Sequence, residues 1–155
     1  MHFRIQGLDP STFQPLFGLD TATLAARGIE RHVADVSPGY PDRIELRDAE
    51  PGESLLLLNY EHQGAATPYR ASHAIFVLES AREKYDRIDA VPPAMRRRLL
   101  SLRAFDATHH LVDADVVHGR EVEAVLQRLL ADPRVDYLHA HYAKPGCFAA
   151  RVDRA

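Results

Sequence analysis

The 155-residue chain is 46% apolar and 26% charged, the balance of a globular domain and not of a disordered segment. Its length suits one domain, 1–155, with a core of its own. A formal net charge of −3 argues against nucleic acid or an anionic membrane as a general partner, since either needs a basic excess.

Phe3 to Gln6 is a short strand, and Pro10 to Leu19 an irregular turn with apolar Phe13, Leu16 and Phe17. A short helix follows, capped by Asp20 or Thr21 and stopped by Gly28. Ile29 to Val36 is a strand, and Pro38, Gly39 and Pro41 then break the chain. Arg43 to Arg47 is expected as a weak strand with Ile44 and Leu46 on one face. Ala49 to Gly52 is a turn.

Ser54 to Tyr60 reads as a buried strand, because Leu55 to Leu58 is apolar toward both faces. Thr67 to Arg70 is a loop and Ala74 to Leu78 the next strand. Tyr85 to Pro93, charged and proline-containing, is placed on the surface. Ala94 to Arg98 is one helical turn. Leu100 to Asp106 alternates as a strand does, with His110 to Val116 pairing back on it.

Arg120 to Ala131 is the clearest helix: Val122, Val125, Leu126, Leu129 and Leu130 form one apolar stripe. Asp132-Pro133 ends it. Strands Val135 to Tyr142 and Cys147 to Asp153 close the chain around an Ala143-to-Gly146 turn. Many strands with few helices predict an α+β fold: a largely antiparallel or mixed sheet with the 120–131 helix packed on it.

One cysteine, Cys147, rules out an internal disulfide and suits a reducing, cytoplasmic setting. The first residues lack the basic-then-apolar pattern of a secretion signal, and Leu55 to Leu58 is far shorter than the roughly 20 residues of a membrane span.

The last hairpin concentrates the reactive side chains. Residues two apart in a strand share a face, so His139 and His141 emerge together. Two imidazoles are half of a structural zinc set, which needs four ligands. With a four-residue loop, Tyr142 faces Cys147, His141 faces Phe148 and His139 faces Ala150. Cys147 then lies across the sheet from both histidines, and the histidine face also holds Val135, Tyr137, Phe148, Ala150 and Val152; a five-residue loop or one bulge reverses that parity and puts His141 opposite Cys147. Cys147 is a candidate nucleophile, with His141 and Arg151 as plausible neighbours; the plainer reading is a small buried apolar residue.

His109-His110 is expected as a solvated pair at a hairpin tip. Arg43, Arg70, Arg103 and Arg151 lie in or beside strands, where a guanidinium can clamp a carboxylate or phosphate, or pair with an acid such as Glu45, Glu61, Asp106 or Asp153. Arg96-Arg97-Arg98 reads as a solvated turn. No glycine-rich phosphate loop, G-x-S-x-G, H-E-x-x-H or C-x-x-C is present.

Five segments carry a family resemblance: Pro38-Gly39-Tyr40-Pro41-Asp42-Arg43, Asp48 to Glu53, Thr67 to Ser72, Ala74 to Val77, and His139-Ala140-His141-Tyr142-Ala143-Lys144-Pro145-Gly146-Cys147 running on to Arg151. In these the chain, from about His32 onward, resembles the bacterial family catalogued as domain of unknown function 1203. The resemblance implies a small stand-alone bacterial protein and names no chemistry. The chain departs from the family pattern twice. Pro41-Asp42-Arg43 stands where the family has Pro-Cys-Arg, so Cys147 has no cysteine partner at 42. Tyr142 stands where the pattern has asparagine.

Three readings follow. The first is a protein or enzyme binding a small anion in a pocket that includes His139, His141, Arg43 and Arg70, with Arg103 as a further arm and His141 as acid or base. The second is a non-catalytic interaction or assembly protein, and the third a metal-binding protein using His139 and His141. No motif implies a cofactor or an oligomeric state.

Overall fold

The computed structural model describes residues 1–155 as nine strands and three short α-helices, an α+β arrangement. No helix is long and apolar enough to cross a membrane. The strands are β1 (Phe3–Gln6), β2 (Glu30–Val33), β3 (Ser54–Gln63), β4 (Ala71–Leu78), β5 (Asp86–Ile88), β6 (Leu99–Phe105), β7 (Leu111–His118), β8 (Tyr137–Tyr142) and β9 (Phe148–Arg154). The helices are α1 (Thr21–Ala25), α2 (Pro93–Arg96) and α3 (Val122–Ala131). Six strands form one sheet in the order β5-β1-β9-β8-β6-β7, and three form a second in the order β2-β3-β4. Every strand pair within the sheets is antiparallel.

The expected elements form where local chemistry is strong. The Asp20 carboxylate accepts from the Thr23 N–H to start α1, and Gly28 takes φ +71° just past its end. Helix α3 buries Val122, Leu126, Leu129 and Leu130 against the larger sheet. Each such side chain contributes about 1.5–3 kcal/mol of apolar burial.

Alternation splits the larger sheet into two faces. Leu100, Leu102 and Ala104 of β6, Leu138 and Ala140 of β8, and Phe3 and Ile5 of β1 pack under α3. The opposite face carries Tyr137, His139 and His141 toward the smaller sheet. All six residues of β8 are buried because both faces are covered. The smaller sheet has its own core with α1 and the N-terminal turns, centred on Leu55, Leu56, Ile75 and Val77.

Two expectations fail, each for a geometric reason. Arg43 to Arg47 is no strand. It is an irregular crossing between the two cores, with Ile44 in one and Leu46 in the other. Leu46 sits at φ +55°, a left-handed conformation that costs about 1 kcal/mol or more for a branched residue. The crossing is held by backbone bonds, Leu8 N–H to Arg43 O at 2.7 Å and Tyr85 N–H to Ile44 O at 2.7 Å. It passes so close to Gly7 that a Cβ there would lie 2.0 Å from the Ile44 oxygen.

The charged 85–93 stretch lies mostly at the surface as expected, and within it Asp86–Ile88 is an edge strand on β1. The second failure concerns the last hairpin. Tyr142 and Cys147 face one another as expected, with Tyr142 N–H donating to Cys147 O at 2.9 Å, and His141 pairs with Phe148. An irregularity at Ala149 then shifts the register, so His139 pairs with Arg151 and Ala140 with Ala150. Ala150 and Val152 therefore join the α3 face and not the histidine face.

Candidate functional site: a cationic cavity at the hairpin turn

The Ala143-to-Gly146 turn closes because Gly146 takes φ +80°, where a Cβ would be strained. That closure sets Tyr142 and Cys147 side by side, away from the histidines, in the wall of a cavity of about 600 Å³. The 39–43 segment forms one wall, bridging onto the free edge of β4 through the Arg43 N–H to Phe76 O bond of 3.1 Å. The β3–β4 pair contributes Leu57, His73 and Phe76, and the junction after α2 contributes Arg97, Arg98 and Leu99. His118, Lys144 and Pro145 complete the rim.

Four cationic side chains line this space, Arg43, Arg97, Arg98 and Lys144, and no Asp or Glu does. Asp48 lies behind the wall, 4% exposed, accepting from Arg98 at 2.6 and 3.0 Å and from Arg97 at 3.4 Å. Burial pushes its carboxyl up, but the Arg98 bond and charge, with Gly39 N–H and Arg97, outweigh that and hold it below the usual range.

Arg43 is only 1% exposed and meets no carboxylate. Its Nε donates to Phe148 O at 2.7 Å and one terminal nitrogen to Cys147 Sγ at 2.9 Å, while the other meets Pro41 O. Its guanidinium lies 4.9 Å from the Tyr142 ring centroid, and that of Arg98 lies 5.1 Å from it. The Tyr142 hydroxyl is buried without a partner. Burial pushes it up to about 12, despite the two guanidinium groups drawing it down.

The histidines lie on the other side of the sheet. His141 is 1% and His139 5% exposed, beside His62 and Phe148 in an aromatic layer between the sheets. His62 approaches His141 to 4.8 Å between ring centroids, and Gln63 donates to the Tyr137 hydroxyl at 2.8 Å. His141 Nδ1 contacts Gly146 O at 3.1 Å, while His141 Nε2, His139 Nδ1 and His62 Nδ1 have no partner. Burial, and then neighbouring histidines and arginines, depress both His139 and His141 to about 3. No group of three or more His, Cys, Asp or Glu side chains forms an ion-holding set.

The expected single pocket joining His139, His141, Arg43 and Arg70 does not form. Arg43 and Cys147 share the 600 Å³ cavity, whereas His139 borders a separate cleft of about 300 Å³ with His62 and Arg151. Arg103 pairs across the sheet with His139, half-buried on the histidine side. Arg70 is on the surface in an ion pair with Glu61 at 3.1 Å. Arg151 pairs with Asp153 and stacks over Tyr137. His109 and His110 are exposed at the β6–β7 tip as expected, with His109 at φ +64°.

Arg98, read as part of a solvated turn, is held by Asp48 in the wall. Arg97, Arg98, Tyr142 and Lys144 were not among the expected site residues. Only Tyr142 and Lys144 carried a sequence signal, lying inside the His139-to-Arg151 segment.

Residues 39–154 match the family described as protein of unknown function (DUF1203). The chain belongs to the DUF1203 family. No curated protein and no solved structure matches it. Of Asp42 and Tyr142, only Tyr142 lines the cavity. Asp42 turns its buried carboxylate to the backbone N–H groups of Leu78, at 2.8 Å, and Glu45. Tyr142 lies under the two guanidinium groups.

Proposed function

We propose that this protein binds a small anionic molecule, a carboxylate or phosphate with an apolar portion, in the cavity at the β8–β9 turn, as a cytoplasmic bacterial protein. The supporting observation is a 600 Å³ space walled by four cationic side chains and no carboxylate. That volume suits a metabolite-sized ligand. Arg97, Arg98 and Lys144 supply charge-assisted donors, and Leu57, Phe76 and Pro145 supply apolar wall. Arg43, a fully buried cation with carbonyl and sulfur partners only, leaves positive charge that an anion offsets. On this reading the histidines stiffen the layer behind the site and do not touch the ligand.

The test is calorimetric titration with inorganic phosphate and succinate, against chloride at matched ionic strength. Saturable binding is expected, weakened roughly tenfold or more by Lys144→Gln or Arg97→Gln, each of which removes a charged donor. Responses identical to chloride, or unchanged in both variants, defeat the reading.

A further inference from the structure

The cavity's only sulfur sits against its least compensated cation. Arg43 donates to Cys147 Sγ at 2.9 Å and meets no carboxylate. Cys147 is 6% exposed, and its exposure is to this cavity and not to the histidine layer. A second observation concerns Tyr142, directly across the turn. Its hydroxyl is buried, lacks any protein partner, and belongs to a side chain in the wall of the same cavity. Buried hydroxyls are almost always bonded, so this donor is free for a group that enters the space.

We propose that Cys147 is a nucleophile toward anionic electrophiles bound in this cavity, with Arg43 as counter-ion to the sulfur and Tyr142 as a donor to the bound molecule. The proposal rests on the anion-binding reading and adds the class of chemistry. The substrate is a small carboxylate or phosphate with an electrophilic carbon near its anionic end, which Arg97, Arg98 and Lys144 hold. The thiol proton leaves to solvent, the sulfur lone pair forms an S–C bond, and the leaving group departs with the electrons of the bond that breaks. No oxidant or reductant is needed.

Iodoacetate and iodoacetamide test this on the intact chain, because both alkylate sulfur with loss of iodide and only the first is an anion. Cys147 is the only cysteine, so the adduct mass reports one site. The rate ratio of iodoacetate to iodoacetamide is expected to exceed that of a small free thiol by about tenfold or more, the scale of electrostatic focusing in a charged cleft. Inorganic phosphate should slow the iodoacetate reaction, and the Arg97→Gln/Lys144→Gln double variant should bring the ratio down toward the free-thiol value. A ratio at or below that of the free thiol, or labelling only after denaturation, overturns the nucleophile. If phosphate binds by calorimetry while the sulfur stays inert, the nucleophile alone falls. If the sulfur labels quickly but phosphate neither binds nor protects, the anion reading falls and this proposal with it.

Discussion

The two faces of the β8–β9 hairpin treat polar side chains in opposite ways. On one, His139 and His141 are pressed between the sheets against His62, Phe148 and Tyr137, with three ring nitrogens unpartnered. On the other, Tyr142 and Cys147 border an open cavity ringed by arginines and Lys144. The same hairpin thus turns its imidazoles into an aromatic layer between the sheets, and a phenol and a thiol toward a cationic cavity. Residue type alone suggested the reverse, since histidine is the commoner catalytic group. Which neighbours cover a face decides the outcome.

Acid tests the histidine face most severely. His139 and His141 are held near 3, against an ordinary value of 6.5, so the folded protein keeps them neutral. Below pH 6.5 the unfolded chain takes up protons that the folded chain refuses. Their stabilising share is fully present above 6.5 and is lost as pH falls toward 3. Each histidine contributes a slope of up to about 1.4 kcal/mol per pH unit, so the pair removes up to about 4 kcal/mol between pH 6.5 and 5. Glu53 and Glu79, held down at about 2 by arginine partners, lose their share only below the ordinary carboxylate range. Urea denaturation at pH 7.5, 6.5 and 5 should show the fall, and His139→Gln should make it shallower. A flat profile would mean water reaches both rings, which would erase the contrast between the faces.

Asp48 probes the cavity face. Its carboxylate is the only one holding Arg98, so Asp48→Asn leaves that guanidinium short of its counter-charge beside Arg43. Breaking such a pair is expected to cost about 3 kcal/mol in denaturant unfolding. The same change raises the positive potential in the cavity, so phosphate should bind more tightly to the less stable protein. Loss of stability together with weaker phosphate binding would show that Asp48 shapes the wall and does not temper its charge.

Much of this contrast was legible in the sequence, and the reasons for the remainder are specific. The α3 stripe, the Asp20 cap, the alternation in β6 and the parity that separates Cys147 from the histidines are local consequences of period and turn chemistry. The bulge at Ala149 was not: nothing in Phe148-Ala149-Ala150-Arg151 announces an extra residue, and it turned Ala150 and Val152 to the other side. The crossing at Arg43 to Arg47 was equally hidden, because Ile44 and Leu46 alternate like a strand while serving different cores. The cavity depends on that crossing. Arg43 and Asp48 flank that crossing, and only the tertiary path brings the distant Arg98 to them, so Arg98 carried the sequence signature of a solvated turn.

Arg70 sharpens the comparison most gently. Its side chain is 61% exposed and its Glu61 partner 45%, and neither belongs to the cavity wall. Surface pairs of this kind contribute between nothing and about 1 kcal/mol, so Arg70→Ala should shift stability by no more than about 0.5 kcal/mol. Its effect on phosphate titration should be small at physiological salt, because its charge is exposed, screened, paired with Glu61 and outside the cavity wall. Lys144→Gln offers the matched comparison, a surface cation removed from the cavity rim. If both variants weakened phosphate binding alike, the anion would be sensing the protein's general charge and the cavity would not be its site. A loss confined to Lys144→Gln would tie binding to the turn that Gly146 closes.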